Sequence, residues 1–141
     1  MKKIISTKNA PDAIGPYSQG IEAGGFVFTS GQLGLVPETG EFAGNDVKSQ
    51  AVQAFENLRE ILKASDCTLY DVVKTTCFLK NMDDFVIVNE VYTRFLSGEN
   101  YPARSAVEVA ALPKGGLVEI EAMKSYASTL RDLNLRISKN T

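Results

Sequence analysis

The spacing of apolar positions along the chain switches between two residues and about three and a half, and each switch marks a predicted element. Residues 3–6 (KIIS) read as a short first strand. Residues 18–23 and 26–30 flank Gly24-Gly25, a pair free to adopt the positive φ angles of a two-residue turn, and so predict a hairpin. The breaker-rich stretches APDAIGPYSQG (10–20) and VPETGEFAGND (36–46) read as loops. From Val47 the apolar residues Ala51, Ala54, Phe55, Leu58, Ile61 and Leu62 recur at helical steps, with Asn45 or Asp46 as cap. Residues 71–79 are rich in β-branched side chains and predict a strand. Phe85, Val88, Val91, Tyr92 and Phe95 form a second helical stripe, capped by Asn81 or Asp83 and ending at Gly98. Strands over 103–110 and 117–126 follow, joined by ALPKGG and read as a hairpin.

This order predicts an α+β fold, a mainly antiparallel sheet with two helices packed on one face. The other face is not polar: Phe26 and Phe28 project together from one strand. A sheet face that is neither covered by helices nor polar is expected to pack against another copy of the chain. The phenylalanine set, Met82, Met123 and both cysteines are expected in the core. Residues 1–127 are expected to form a single domain, and the tail 128–141 is left unassigned, its weak apolar spacing allowing a short helix or no regular structure.

Composition narrows the chemistry. The 141 residues are 44% hydrophobic and 23% charged, an ordinary globular balance, and the net charge of −2 offers nothing to nucleic acid or an anionic membrane. Lys3, Lys80 and Lys114 are scattered, without the interleaved aromatics of a single-strand binder. MKKIIST is no signal-peptide core, and no apolar run approaches a membrane span, so a cytoplasmic protein with Cys67 and Cys77 as thiols is expected. There is no histidine, which removes Ser-His-Asp and Cys-His mechanisms and imidazole zinc sites together. Two cysteines cannot fill a four-ligand structural zinc site either.

Chemistry must then come from Arg, Lys, Tyr, Ser, carboxylates, backbone amides and water. In YPARSAVEVA (101–110), Arg104 shares a face with Ala106 and Ala110, and Glu108 is its only carboxylate there. A surface arginine is the bland reading; a rigid fork waiting for a carboxylate is the functional one. Glu119 in VEIEA points away from the face of Val118, Ile120 and Ala122. A hairpin through PKGG would put Glu119 on the same face as Arg104, four to eight residues away, roughly 13–26 Å at ~3.3 Å per residue. The two could then serve one site only if the strand bends or a second copy supplies one of them. Tyr17 in GPYSQG and Ser30 in TSGQLG carry hydroxyls beside glycines, and Asn89 is a polar residue near the second apolar stripe.

PARSAVEVAALPKGGLVEIEA (102–122), with APDAIGPYSQG, FVFTSGQLGL and AVQAFENLREILKAS, resembles the reactive intermediate deaminase (RidA, or YjgF-type) family over residues 3 to 126. The resemblance implies a chorismate-mutase-like fold and a homotrimeric barrel with sites at the subunit clefts. It implies hydrolysis of enamine/imine intermediates such as 2-iminobutanoate and 2-iminopropanoate to 2-oxo acids and ammonia, without metal or cofactor. By position it places the carboxylate-binding arginine at Arg104 and the water-positioning glutamate at Glu119. Tyr17, Ser30, Gly31, Asn89, Ser105 and Ala106 fall at substrate-contacting positions. Many members carry cysteine where this chain has Ala106, so only its backbone amide can serve there. The competing readings are a non-catalytic module that binds a small carboxylate, and the endoribonuclease or translation-inhibitor activity attached to this family.

Overall fold

In a computed structural model that describes residues 1–125 apart from Ser97 and Glu99, the apolar alternation resolves into one sheet with two helices packed on it. Strands β1 (Lys3–Ile5), β2 (Gly20–Ala23), β3 (Phe26–Thr29) and β4 (Gln32–Leu33) come first, then helix α1 (Val47–Lys63). Strand β5 (Val72–Leu79), helix α2 (Phe85–Phe95) and strands β6 (Ala103–Glu108) and β7 (Val118–Ser125) complete the order. The tail 128–141 and the last residue of the strand predicted over 117–126 lie outside the described residues. No helix among the described residues is long and apolar enough to cross a membrane.

Local chemistry explains the elements. Gly24 and Gly25 adopt φ angles of 58° and 79° in the β2–β3 turn, the left-handed pair such a turn demands. The Asp46 carboxylate caps α1 by accepting from the Ser49 amide at 2.9 Å. The helix buries Ala51, Ala54, Phe55, Leu58, Ile61 and Leu62 completely against the sheet, forming the centre of the core. Asn81 caps a short 3-10 turn, Met82–Asp84, that leads into α2.

The sheet runs β1-β2-β3-β7-β5-β6, with β4 also pairing β7. The predicted hairpin of β6 and β7 does not form. Strand β5 lies between them, antiparallel to β7 and parallel to β6. The reason is connectivity: parallel neighbours need a long crossover, and α2 provides one between β5 and β6. The segment ALPKGG is then not a tight turn but a bridge over β5, with Lys114 held at φ 56° beside Gly115 at φ 72°.

Both helices pack on one face, as expected from the sequence. On the other, Ile4, Ile21, Phe28 and Met123 stand in register across four strands. Phe26 and Phe28 remain 38% and 39% exposed and Met82 39%, so these three, and Met123 beside Phe28 in the stripe, do not belong to the core of a single chain. Cys67 and Cys77 are buried free thiols.

Candidate active site

Two separate clusters carry the residues singled out above, one on each face of the sheet. The first is built on α2 and β6. Arg104 pairs in register with Thr75, which pairs with Ala122, so the arginine points to the helix side. There its Nη1 donates to Asn89 Oδ1 at 2.6 Å, and its guanidinium carbon lies 5.0 Å from the Phe85 ring centroid and 4.7 Å from that of Tyr92. Phe85, Asn89 and Tyr92 are spaced four and three residues apart and therefore share one helix face. The side chain is exposed in the single chain, not buried as a ligand-gripping guanidinium would be. Among the described residues no carboxylate lies within ion-pair distance of it. Glu108, the one carboxylate on that face of the strand, accepts from the Met82 amide at 2.9 Å.

Ala106 stands beside Cys77 in the ladder, also facing the helices. Burial pushes the Cys77 thiol up to about 11, although Arg104 opposes the shift. Ser105 projects from the opposite face, where its hydroxyl accepts from Lys74 Nζ at 3.1 Å. Its side chain is thus separated from Arg104 by the thickness of the sheet.

The second cluster lines a cleft of about 480 Å³ that gathers Tyr17, Ser30, Gly31, Lys114 and Glu119. Glu119 pairs with Leu33 on β4 and with Phe78 on β5, which places it on the face away from the helices. Its carboxylate rests directly against Gly31: a Cβ on that glycine would sit 2.6 Å from Glu119 Oε1. Desolvation first, and then the nearby Glu121 charge, raise the Glu119 carboxyl above its ordinary range. The Ser30 hydroxyl donates to the Ser18 carbonyl at 2.5 Å, and the Ser30 amide donates to the Gln19 carbonyl at 2.9 Å. Toward the cleft the Ser30 oxygen is therefore an acceptor.

The loop wall of this cleft is fastened by a residue that sequence reasoning passed over. Gln19 is buried, and its carboxamide accepts from the Thr7 amide at 2.7 Å. It donates to the carbonyls of Thr7, Ala10 and Pro11 at 3.0, 3.3 and 2.8 Å. Only its position within a glycine- and proline-rich loop could have signalled this, because a buried glutamine must find partners for both ends of its amide.

The structure thus joins Arg104 to Asn89, and Glu119 to Tyr17, Ser30 and Gly31, but does not bring the two groups together within one chain. A family model described as "Endoribonuclease L-PSP" matches residues 7–125. A RutC family protein of Pyrococcus horikoshii is 52% identical over 123 residues, spanning 87% of this chain and 97% of that protein. The 2-iminobutanoate/2-iminopropanoate deaminase of Salmonella typhimurium is 50% identical over 125 residues, 87% of this chain and 97% of its own. The crystal structure of E. coli TdcF with bound serine superimposes with a TM-score of 0.83 at 46% identity, covering 87% of this chain and 98% of that one.

Proposed function

Because the chain belongs to the endoribonuclease L-PSP family, which includes the RidA-type 2-iminobutanoate/2-iminopropanoate deaminases, we propose that it hydrolyses reactive enamine/imine intermediates to 2-oxo acids and ammonia. The observation that carries this reading to the residues is the Arg104 guanidinium. It is held by Asn89 and two aromatic rings, with no carboxylate among the described residues within ion-pair distance. Such a fork suits the carboxylate of a 2-imino acid, which accepts two parallel hydrogen bonds.

The chemistry asked of the protein is small. A water oxygen adds to the imine carbon while one of its protons passes by way of Glu119 to the nitrogen. The second proton follows from the new hydroxyl, the carbon–nitrogen bond breaks, and ammonia leaves a carbonyl behind; an enamine first takes a proton on carbon to become the imine. Glu119 accepts a proton of that water and turns its lone pair toward the substrate, and Ser30 supplies a second acceptor. A protonated imine is already electrophilic, so orientation supplies most of the acceleration.

Arg104 and Glu119 serve one reaction in this reading because the site lies between copies of a homotrimer, with each copy supplying one cluster. Three residues along β7 and two strands across separate their positions, roughly 14 Å at ~3.3 Å per residue and ~4.8 Å per strand. The uncovered stripe of Ile4, Ile21, Phe28 and Met123 supports burial of that face by a second copy. The endoribonuclease reading finds less support: the net charge is −2 and the Ser30 cleft carries a carboxylate.

The test is complementation. Arg104→Ala and Glu119→Gln are each assayed for ammonia release from freshly generated 2-iminobutanoate, then unfolded together and refolded as a mixture. Both variants alone are expected to be nearly inactive and the mixture to regain activity, since some mixed assemblies contain an intact site. A mixture no more active than its parts overturns the shared site. Full activity in Arg104→Ala alone overturns the role of the guanidinium.

A further inference from the structure

Arginine is a flexible side chain, and in a site that works by orientation its freedom is itself a cost. Here the guanidinium of an exposed edge-strand residue has a fixed seat. Phe85 and Tyr92, two turns apart on α2, lie beneath it at 5.0 and 4.7 Å, and Asn89 between them takes one of its N–H groups. The seat is itself anchored. The Tyr92 hydroxyl is bonded at 2.8 Å to Thr75, the ladder partner of Arg104 on β5. Its ring meets the buried Phe55 edge-on at 5.7 Å and stacks with Tyr101 at 6.5 Å. Strand and helix thus fix the two ends of one short circuit: Arg104, Thr75, Tyr92, and back to Arg104.

We infer that Phe85 and Tyr92 are positioning residues for the deamination, acting through Arg104: their rings hold the guanidinium by its faces, and Asn89 fixes its rotation, so that the remaining N–H edge meets the substrate carboxylate ready-aligned. This rests on the reading of Arg104 as the carboxylate anchor. The ring quadrupole attracts the cation, and a pre-aligned fork loses less freedom on binding than a free one. Phe85 is half-buried with its ring beside the cation, so replacing it removes half of the seat while leaving the fully buried core residues of α2 in place.

Two measurements keep failure of this inference apart from failure of the function. The first needs no substrate. In arginine side-chain NMR, with the Arg104 signal identified by its loss in Arg104→Ala, the wild-type guanidinium is expected to rotate slowly. In Phe85→Leu it should rotate freely, and in Phe85→Tyr it should stay slow. Free rotation in the wild type, or slow rotation unchanged in Phe85→Leu, overturns the inference whether or not the protein proves to be a deaminase.

The second is steady-state turnover of 2-iminobutanoate. Phe85→Leu is expected to raise KM about fivefold to tenfold with kcat within about twofold. Phe85→Tyr should restore the wild-type KM, and Tyr92→Phe, which keeps the ring but loses Thr75, should fall between. A purely structural role would lower the melting temperature of Phe85→Leu and leave KM alone, and that result overturns the inference.

Discussion

Arg104 and Glu119, the two residues with the strongest claim to chemistry, project from opposite faces of the same sheet, two strands and three residues apart. No rotamer change within one chain brings them to a common substrate of three or four carbons. Everything expected of the site follows from that separation and from how each partner is held.

Arg104→Ala should lower kcat/KM by about a hundredfold or more, because each charge-assisted hydrogen bond to a sheltered carboxylate contributes about 1.5–3 kcal/mol. Arg104→Lys should recover little, since an ammonium lacks the two-pronged geometry that the Phe85–Tyr92 seat and Asn89 prepare. Steady-state rates on freshly generated 2-iminobutanoate decide it; a lysine variant with wild-type kcat/KM would contradict the fork.

Glu119→Gln should separate activity from stability. The carboxyl is raised above its ordinary 4.5 by desolvation and by Glu121, so the folded protein binds its proton more tightly than the unfolded chain does. The ionised form therefore costs stability, a cost that grows as pH rises from 4.5 through the raised value and persists at neutrality. A neutral glutamine avoids that cost. The variant should melt slightly higher than wild type at pH 7, lose the difference below pH 4.5, and turn over far more slowly. Calorimetry at both pH values beside an ammonia assay checks all three points.

Gly31→Ala places a methyl group 2.6 Å from Glu119 Oε1. The obstacle is the Glu119 side chain from Cγ at 2.9 Å outward rather than backbone, so the fold should survive with little change in melting temperature. The displaced carboxylate should nevertheless lower kcat by about a hundredfold, the scale of a misplacement of about 1 Å in an oriented reaction. An alanine variant of unchanged kcat would mean that Glu119 does not have to stand where it does.

Phe28→Asp should disassemble the protein. Phe28 lies mid-stripe on the uncovered face, in register with Ile21 and Met123, and a carboxylate there cannot be buried without severe desolvation. Light scattering should report three copies for the wild type and a smaller species for the variant, with activity lost in parallel. A wild-type monomer with full activity would remove the basis for a shared site.

Cys77 should be silent toward thiol reagents until the protein unfolds. Its thiol is pushed up to about 11, leaving very little thiolate at pH 8, and both cysteines are buried. Counting reactive thiols should give none in native protein and two after denaturation; a fast-reacting thiol in the native state would contradict this.

The periodic elements were legible in the sequence because each has a strong local cause. Helix α1 shows its stripe and its Asp46 cap, and the β2–β3 turn shows its Gly-Gly. What sequence alone did not yield was which strands become neighbours. Strands β6 and β7 follow one another along the chain, and a short glycine-containing link favoured a hairpin. The insertion of β5 is a tertiary choice, set by the crossover through α2 and by a fully alternating β7 that needs partners on both sides. The difference matters for the site, since a hairpin would place Arg104 and Glu119 on one face. Arg104 and Asn89 line one cleft and Glu119 lines another. The Ser105 side chain lines neither, because alternation along β6 turns it away from Arg104.

Gln19 has a consequence for how molecules come and go. One carboxamide ties Thr7, Ala10 and Pro11 into a single knot beside Tyr17. Those four hydrogen bonds brace that side of the cleft. Traffic of imine and oxo acid should thus proceed without any opening step, with turnover insensitive to solvent viscosity, until Gln19→Leu unties the knot and makes the loop's own motion part of every cycle.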